Sequence, residues 1–168
     1  MAEVQTVQGA VDAEDLGLTL AHEHVRFRDG LVAVEWPGRY DEDLELQAAA
    51  LAVSEAAERG VRTIVDPTAM FGGRDVGFMR KVAEQTGVRI VACTGIYSYD
   101  YLPQYFVNRD IDVMADHFVE DIELGIQGTG IRAAFLKCAA DAPGVTENVE
   151  KIHRAVARAS VQTGAPIM

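Results

Sequence analysis

Leu18-Thr19-Leu20-Ala21-His22-Glu23-His24-Val25 is an apolar run ending in two histidines with one residue between them. The pattern predicts a short buried strand, and side chains two apart on a strand point to the same face. His22 and His24 would then converge at the strand's C-terminal end, as a pair of metal ligands must. Two ordinary histidines at the mouth of a strand fit the same spacing, because a two-histidine pair alone is a weak motif.

Outward from this stretch the chain alternates between short apolar runs and helical patterns. Upstream, residues 3–12 alternate loosely around Val4, Val7 and Val11, which predicts a small N-terminal ribbon. Downstream, residues 26–40 lack periodicity and carry Trp36, Pro37 and Gly38, so a long loop is expected. Asp41 to Arg59 reads as a helix. Leu44, Ala48, Leu51, Val53 and Ala56 supply its apolar stripe, acidic residues crowd its first turn, and Gly60 stops it. Thr63–Asp66 is a second strand, ended by Pro67. Asp75 can cap the next helix, in which Phe78, Met79, Val82 and Ala83 share a face before Gly87. Arg89–Thr94 is a third strand, followed by a tyrosine-rich loop from Gly95 to Asn108. A helix beginning near Asp110 is expected to bury Ile111, Met114, Ala115, Phe118, Val119 and Ile122. Ala133–Cys138 is the fourth strand. Thr146 starts a further helix with Val149, Ile152, Val156 and Ala159 inward, and Ala165–Met168 opens a fifth strand.

Strands without polar alternation are buried on both faces, as in a parallel sheet covered by helices. Regular βα alternation allows a doubly wound sheet or a β/α barrel. Two features favour the barrel. The chain lacks the glycine-rich turn of a dinucleotide site, which Gly72-Gly73 does not supply. Polar residues also cluster just after the strands' C-terminal ends, where barrel enzymes keep their chemistry.

The 168 residues suit one domain with a sizeable core. Fifteen Lys and Arg against 26 Asp and Glu give a formal charge of −11, which repels phosphate backbones and argues against a nucleic-acid partner. No apolar run approaches the roughly 20 residues that cross a bilayer, so no membrane partner is expected. Met-Ala-Glu-Val-Gln at the start has neither the basic residues nor the apolar core of a signal peptide. Cys93 and Cys138 are isolated within apolar runs and read as reduced core residues, consistent with a cytoplasmic location.

His22 and His24, Asp66, Thr94 with Tyr97, and Lys137 follow successive strands, and parallel strands would bring them to one mouth. A lysine closing the run Ala-Ala-Phe-Leu carries its charge into a low-dielectric place, which is costly without a partner. It can snorkel to the rim or pair with Asp66. Alternatively, desolvation and nearby cations can leave a neutral amine that reacts with carbon dioxide to form a carbamate. Such a group acts as a carboxylate on a long stem and can bridge two metal ions about 3.5–4 Å apart. Tyr97 could equally pack within its loop, as Tyr99, Tyr101 and Tyr105 are expected to do. His117 and His153 fall within helical patterns and read as solvated or rim histidines.

At these residues the chain resembles the phosphotriesterase family of the amidohydrolase superfamily, and most closely its phosphotriesterase-like lactonases. The resemblance runs from about Val4 to Met168. It rests on Thr19-Leu-Ala-His-Glu-His24, Thr63-Ile-Val-Asp66, Thr94-Gly-Ile-Tyr97, Leu102-Pro-Gln-Tyr-Phe106, Gly125-Ile-Gln-Gly-Thr129 and Lys137-Cys-Ala-Ala-Asp-Ala-Pro-Gly144. It implies that residues 1–168 form the N-terminal half of a (β/α)8 TIM barrel, a partial metal-dependent hydrolase domain whose C-terminal half is absent. It implies two divalent metals, usually zinc, with iron, cobalt or manganese also suited to such ligands. By the same resemblance His22 and His24 hold the more buried metal, and Lys137, as a carbamate made with carbon dioxide, bridges both. A bridging hydroxide would attack a lactone carbonyl, as in N-acyl-homoserine lactones, or more weakly an organophosphate phosphorus. Tyr97 matches the tyrosine that leans over the metals and helps to place substrate.

The family's remaining ligands are two histidines on the fifth and sixth strands and an aspartate on the eighth, all beyond Met168. Three ligands hold a two-metal site poorly, and a half barrel leaves unpaired strand edges. The expectations are therefore an inactive fragment, a homodimer for the complete protein, and, as the other reading, a non-catalytic half barrel used in binding or assembly.

Overall fold

The computed structural model describes residues 2–98 and 102–168, so the predicted packing of Tyr99 and Tyr101 lies outside the described residues. The chain divides into two compact units, Met1–Ala92 and Cys93–Met168.

In the first unit, β1 (Glu3–Thr6) and β2 (Gly9–Asp12) form the expected antiparallel ribbon, with Val4 opposite Val11. β3 (Leu18–Leu20) runs parallel to β4 (Val61–Asp66). β4 in turn pairs in parallel with the first part of β5 (Arg89–Gly95), Thr63 opposite Arg89 and Asp66 opposite Ala92.

The segment predicted as one long loop contains α1 (Gly30–Glu35) and a short 3-10 turn at Pro37–Arg39. α1 forms because Asp29 accepts the Val32 N–H at 2.9 Å, satisfying a donor that a helix start leaves open. α2 (Glu42–Glu58) starts where predicted, with Asp41 accepting the Leu44 N–H at 3.1 Å. Its buried side differs from the predicted stripe. Val53 is buried as predicted, but its buried companion is Ala49, whereas Leu44 and Leu51 are 62% and 63% exposed. Apolar residues occupy several sides of this alanine-rich helix, so periodicity alone did not define its inner face. α3 (Val76–Thr86) follows the sequence closely: Asp75 caps it, Phe78, Met79, Val82 and Ala83 are buried, and Gly87 ends it at φ 71°.

In the second unit, the end of β5 pairs in parallel with β6 (Phe135–Lys137), Gly95 lying opposite Lys137. The tyrosine-rich segment holds a short helix, α4 (Gln104–Val107), rather than loop alone. The Lys151 ammonium donates to the carbonyls of Phe106 and Arg109, both at 2.5 Å, and so satisfies acceptors left open at that helix's end. α5 (Ile111–Glu123) buries Met114, Ala115, Phe118 and Val119 as expected, while Ile111 and Ile122 are only half-buried. α6 (Glu147–Thr163) is capped by Thr146 and turns Val149, Ile152, Val156 and Ala159 inward. Leu136 donates to the Pro166 carbonyl and accepts from the Met168 N–H, both at 2.8 Å, so a fifth parallel strand begins at the predicted place. Cys93 is buried, Cys138 is half-buried, and both are free thiols. No helix among the described residues is long and apolar enough to cross a membrane.

Candidate functional site

β3 stops at Leu20, so His22 and His24 are not strand residues as the alternation predicted. Beyond Leu20 the Glu23 N–H still donates to the Val65 carbonyl at 3.1 Å. The Val25 N–H instead donates to Asp66 Oδ2 at 2.9 Å. A side chain takes the place of a ladder carbonyl, and the backbone bends there. The two imidazoles nevertheless come together, with ring centroids 5.8 Å apart and planes at 78°. Both side chains are exposed. Phe27 meets His24 in a T-shaped contact, with ring centres 5.8 Å apart.

Beneath the pair sits a polar layer of Asp66, expected at this mouth, and Thr68, which nothing in the sequence pattern singles out. His24 Nδ1 is 2.6 Å from Thr68 Oγ1 and 3.8 Å from Asp66 Oδ1, which makes Thr68 its direct partner. Asp66 is fully buried and accepts the Val25 N–H on one oxygen and the Thr68 N–H, at 2.8 Å, on the other. Burial pushes its pKa up, and the hydrogen bonds from Thr68 and Val25 work against that rise.

The chain after the histidines is held by charge. Arg26, only 9% exposed, donates from Nη2 to Asp75 at 2.8 Å, lies 3.6 Å from Glu45, and stacks 3.7 Å above the Phe78 ring. Arg28 donates from Nε to Glu45 at 2.8 Å. Burial acts to raise the Asp75 pKa, but the Phe78 N–H and the Arg26 guanidinium hold it below the ordinary carboxylate value.

In the second unit Lys137 ends β6 and is buried. Its ammonium lies 5.8 Å from the centre of the Tyr97 ring, within cation–π range. The Tyr97 hydroxyl donates to Asp141 Oδ1 at 3.2 Å, and the Ser98 hydroxyl donates to the other oxygen. The Asp141 charge, with this hydrogen bond, raises the Tyr97 pKa. Thr94, predicted to face the mouth, instead donates its hydroxyl to Asp121 of α5 at 2.6 Å and ties helix to strand. His117 Nε2 meets the Tyr105 hydroxyl at 3.0 Å, and His153 Nδ1 lies 2.8 Å from the Val149 carbonyl.

Among the described residues no three His, Cys, Asp or Glu side chains gather at one point. The donor chemistry of the histidine pair still fits a divalent ion, since neutral imidazoles suit zinc, copper, iron and nickel. With its Nδ1 engaged by Thr68, His24 has the one-sided hydrogen bonding usual for a ligating histidine.

Over residues 2–168 the chain matches the model of the phosphotriesterase family. It is 50% identical over 159 residues to an aryldialkylphosphatase of Saccharolobus solfataricus, covering 95% of this chain and 51% of that protein. It is 44% identical over 175 residues to a phosphotriesterase homology protein of Mycobacterium tuberculosis, covering 99% of this chain and 54% of the relative. The solved structure of the phosphotriesterase from Mycobacterium tuberculosis superposes with a TM-score of 0.92 at 43% identity, over 99% of this chain and 54% of that one. The chain thus spans about half the length of the curated relatives it matches. The βα repeat is half of a TIM barrel, and the chain belongs to the phosphotriesterase family.

Proposed function

We propose that this chain carries part of the metal centre of a hydrolase that opens lactones, N-acyl-homoserine lactones among them, and hydrolyses phosphotriesters more slowly. The observation that carries the reading is the paired imidazoles of His22 and His24, 5.8 Å apart in a chain of this family. The name of the aryldialkylphosphatase relative supports the phosphotriester half.

In this reading His22 and His24 bind a divalent ion, most often zinc, and Lys137 serves two ions as its carbamate. A bound divalent ion supplies Lewis acidity, polarising the carbonyl or phosphoryl oxygen under attack. Carbamylation starts once the Lys137 ammonium has given up a proton: the Nζ lone pair then joins the carbon of carbon dioxide and a second proton leaves the nitrogen, so the loss of two protons in all turns a cationic side chain into an anionic oxygen ligand. Tyr97, held by Asp141 next to Lys137, orients the substrate. The complete protein is read as a cytoplasmic homodimer acting on small molecules.

Lys137→Ala in the complete protein tests the reading. Metal content and hydrolysis of an acyl-homoserine lactone and of paraoxon should all fall, activity by at least about 100-fold, more than is usual for an outer-shell change. Short carboxylic acids should restore part of it. Unchanged activity would remove the carbamate role.

A further inference from the structure

The Asp66–Thr68–His24 arrangement lies outside the roles given above to His22, His24 and Lys137, and its hydrogen bonds have a direction. Both backbone donors aimed at Asp66, from Val25 and Thr68, reach different carboxylate oxygens, so Asp66 acts as an acceptor on each. The Thr68 hydroxyl also donates to the Arg26 carbonyl at 3.5 Å. A hydroxyl has one proton and two lone pairs, and a carbonyl can only accept. With the Thr68 proton given to the Arg26 carbonyl, Oγ1 meets His24 Nδ1 as an acceptor. The 2.6 Å contact then requires the proton to sit on Nδ1. A neutral imidazole protonated there has its remaining lone pair on Nε2.

We propose that Thr68, oriented by Asp66, is a positioning residue that fixes His24 in the Nδ1–H tautomer and leaves Nε2 as the metal-binding nitrogen. The inference rests on the metal-centre reading above for its purpose, though not for its geometry. Thr68 and Asp66 are 1% and 0% exposed, and the His24 ring is further fenced by Phe27, so the orientation is built in before any ligand arrives. Outer partners of this kind typically set metal affinity by about 10–100-fold.

Two measurements on the complete protein separate the inference from the reading beneath it. In metal-free protein with 15N-labelled histidine, the His24 resonances, assigned by their loss in His24→Gln, should show a protonated Nδ1 and an unprotonated Nε2. The opposite pattern in the wild type overturns the proposal without any variant having to fold. Zinc affinity, read by competition with a chromophoric chelator, should drop about 10–100-fold in Thr68→Val. It should stay within about threefold of wild type in Thr68→Ser, which keeps the hydroxyl. Thr68→Val should also shift His24 towards the Nε2–H form. Equal affinity and an unchanged tautomer in folded Thr68→Val overturn the positioning role. A wild type with the expected tautomer that takes up no zinc overturns the metal-centre reading while upholding the Thr68 geometry.

Discussion

The chain after β3 and the end of β6 each present a candidate ligand, and they are built by opposite means. After β3 the backbone has left the sheet. His22 and His24 are exposed, and side chains hold their segment: Asp66 on the Val25 N–H, Thr68 on the His24 ring, Asp75 and Glu45 on Arg26. At the end of β6 the backbone itself does the holding. Lys137 is buried and lies in register with Gly95, which approaches it so closely that an added Cβ would sit 2.1 Å from the Lys137 carbonyl oxygen. The first end depends on hydrogen bonds that single substitutions can delete. The second depends on the absence of one atom.

Gly95→Ala should therefore have the largest effect. Its φ of 112° strains any residue with a Cβ, and the clash is with backbone, which cannot rotate away. A loss of about 4 kcal/mol or more is expected in urea unfolding, in the range that marks a specific structural fault. A variant within about 1 kcal/mol of wild type would mean that β5 and β6 separate easily at Lys137. Asp66→Ala comes next. It strands two backbone N–H groups, and at about 1–2 kcal/mol for each the loss should be about 2–4 kcal/mol. If Asp66→Ala proved neutral by the same measurement, water must reach both donors, and the side-chain scaffold described for the histidine segment would fall.

The same contrast explains what could be read from the sequence. The βα order, the caps at Asp41, Asp75 and Thr146, and the start of the fifth strand all follow from local patterns, and local patterns are visible in one chain. Lys137 was legible as a strand-terminal lysine because apolar residues precede it. The histidine pair was legible for a partly mistaken reason, since strand alternation was expected to align rings that a bend brings together. Nothing local announces that Asp66 would replace a ladder carbonyl 41 residues away in sequence, or that Thr68 would reach His24 across 44. Thr94 misled because a hydroxyl at a strand end carries no sign of which side it serves, and Asp121 claimed it. α1 and α4 were missed because they are too short to show a period, and their ends are satisfied by Asp29 and by the distant Lys151.

Asp75→Asn probes the charge-held segment with the smallest change. Asparagine is as good a helix cap as aspartate, so the bond to the Phe78 N–H survives and the test isolates the charge facing Arg26. Asp75 is 41% exposed, which screens the pair and limits the expected loss to about 1 kcal/mol near neutral pH. The pH dependence supplies the sign. The Asp75 pKa in the folded protein lies below its ordinary value of 3.8, so the carboxylate stabilises the fold fully above that value. This contribution is lost as pH falls through the lower, folded-state pKa. The gap in thermal stability between wild type and Asp75→Asn should thus be greatest near neutral pH and close on acidification below about pH 4. A gap that stayed constant down to pH 2 would assign the loss to packing around Arg26 and Phe78 instead of to charge. The segment behind the histidines would then be held by the stacked guanidinium more than by its ion pairs.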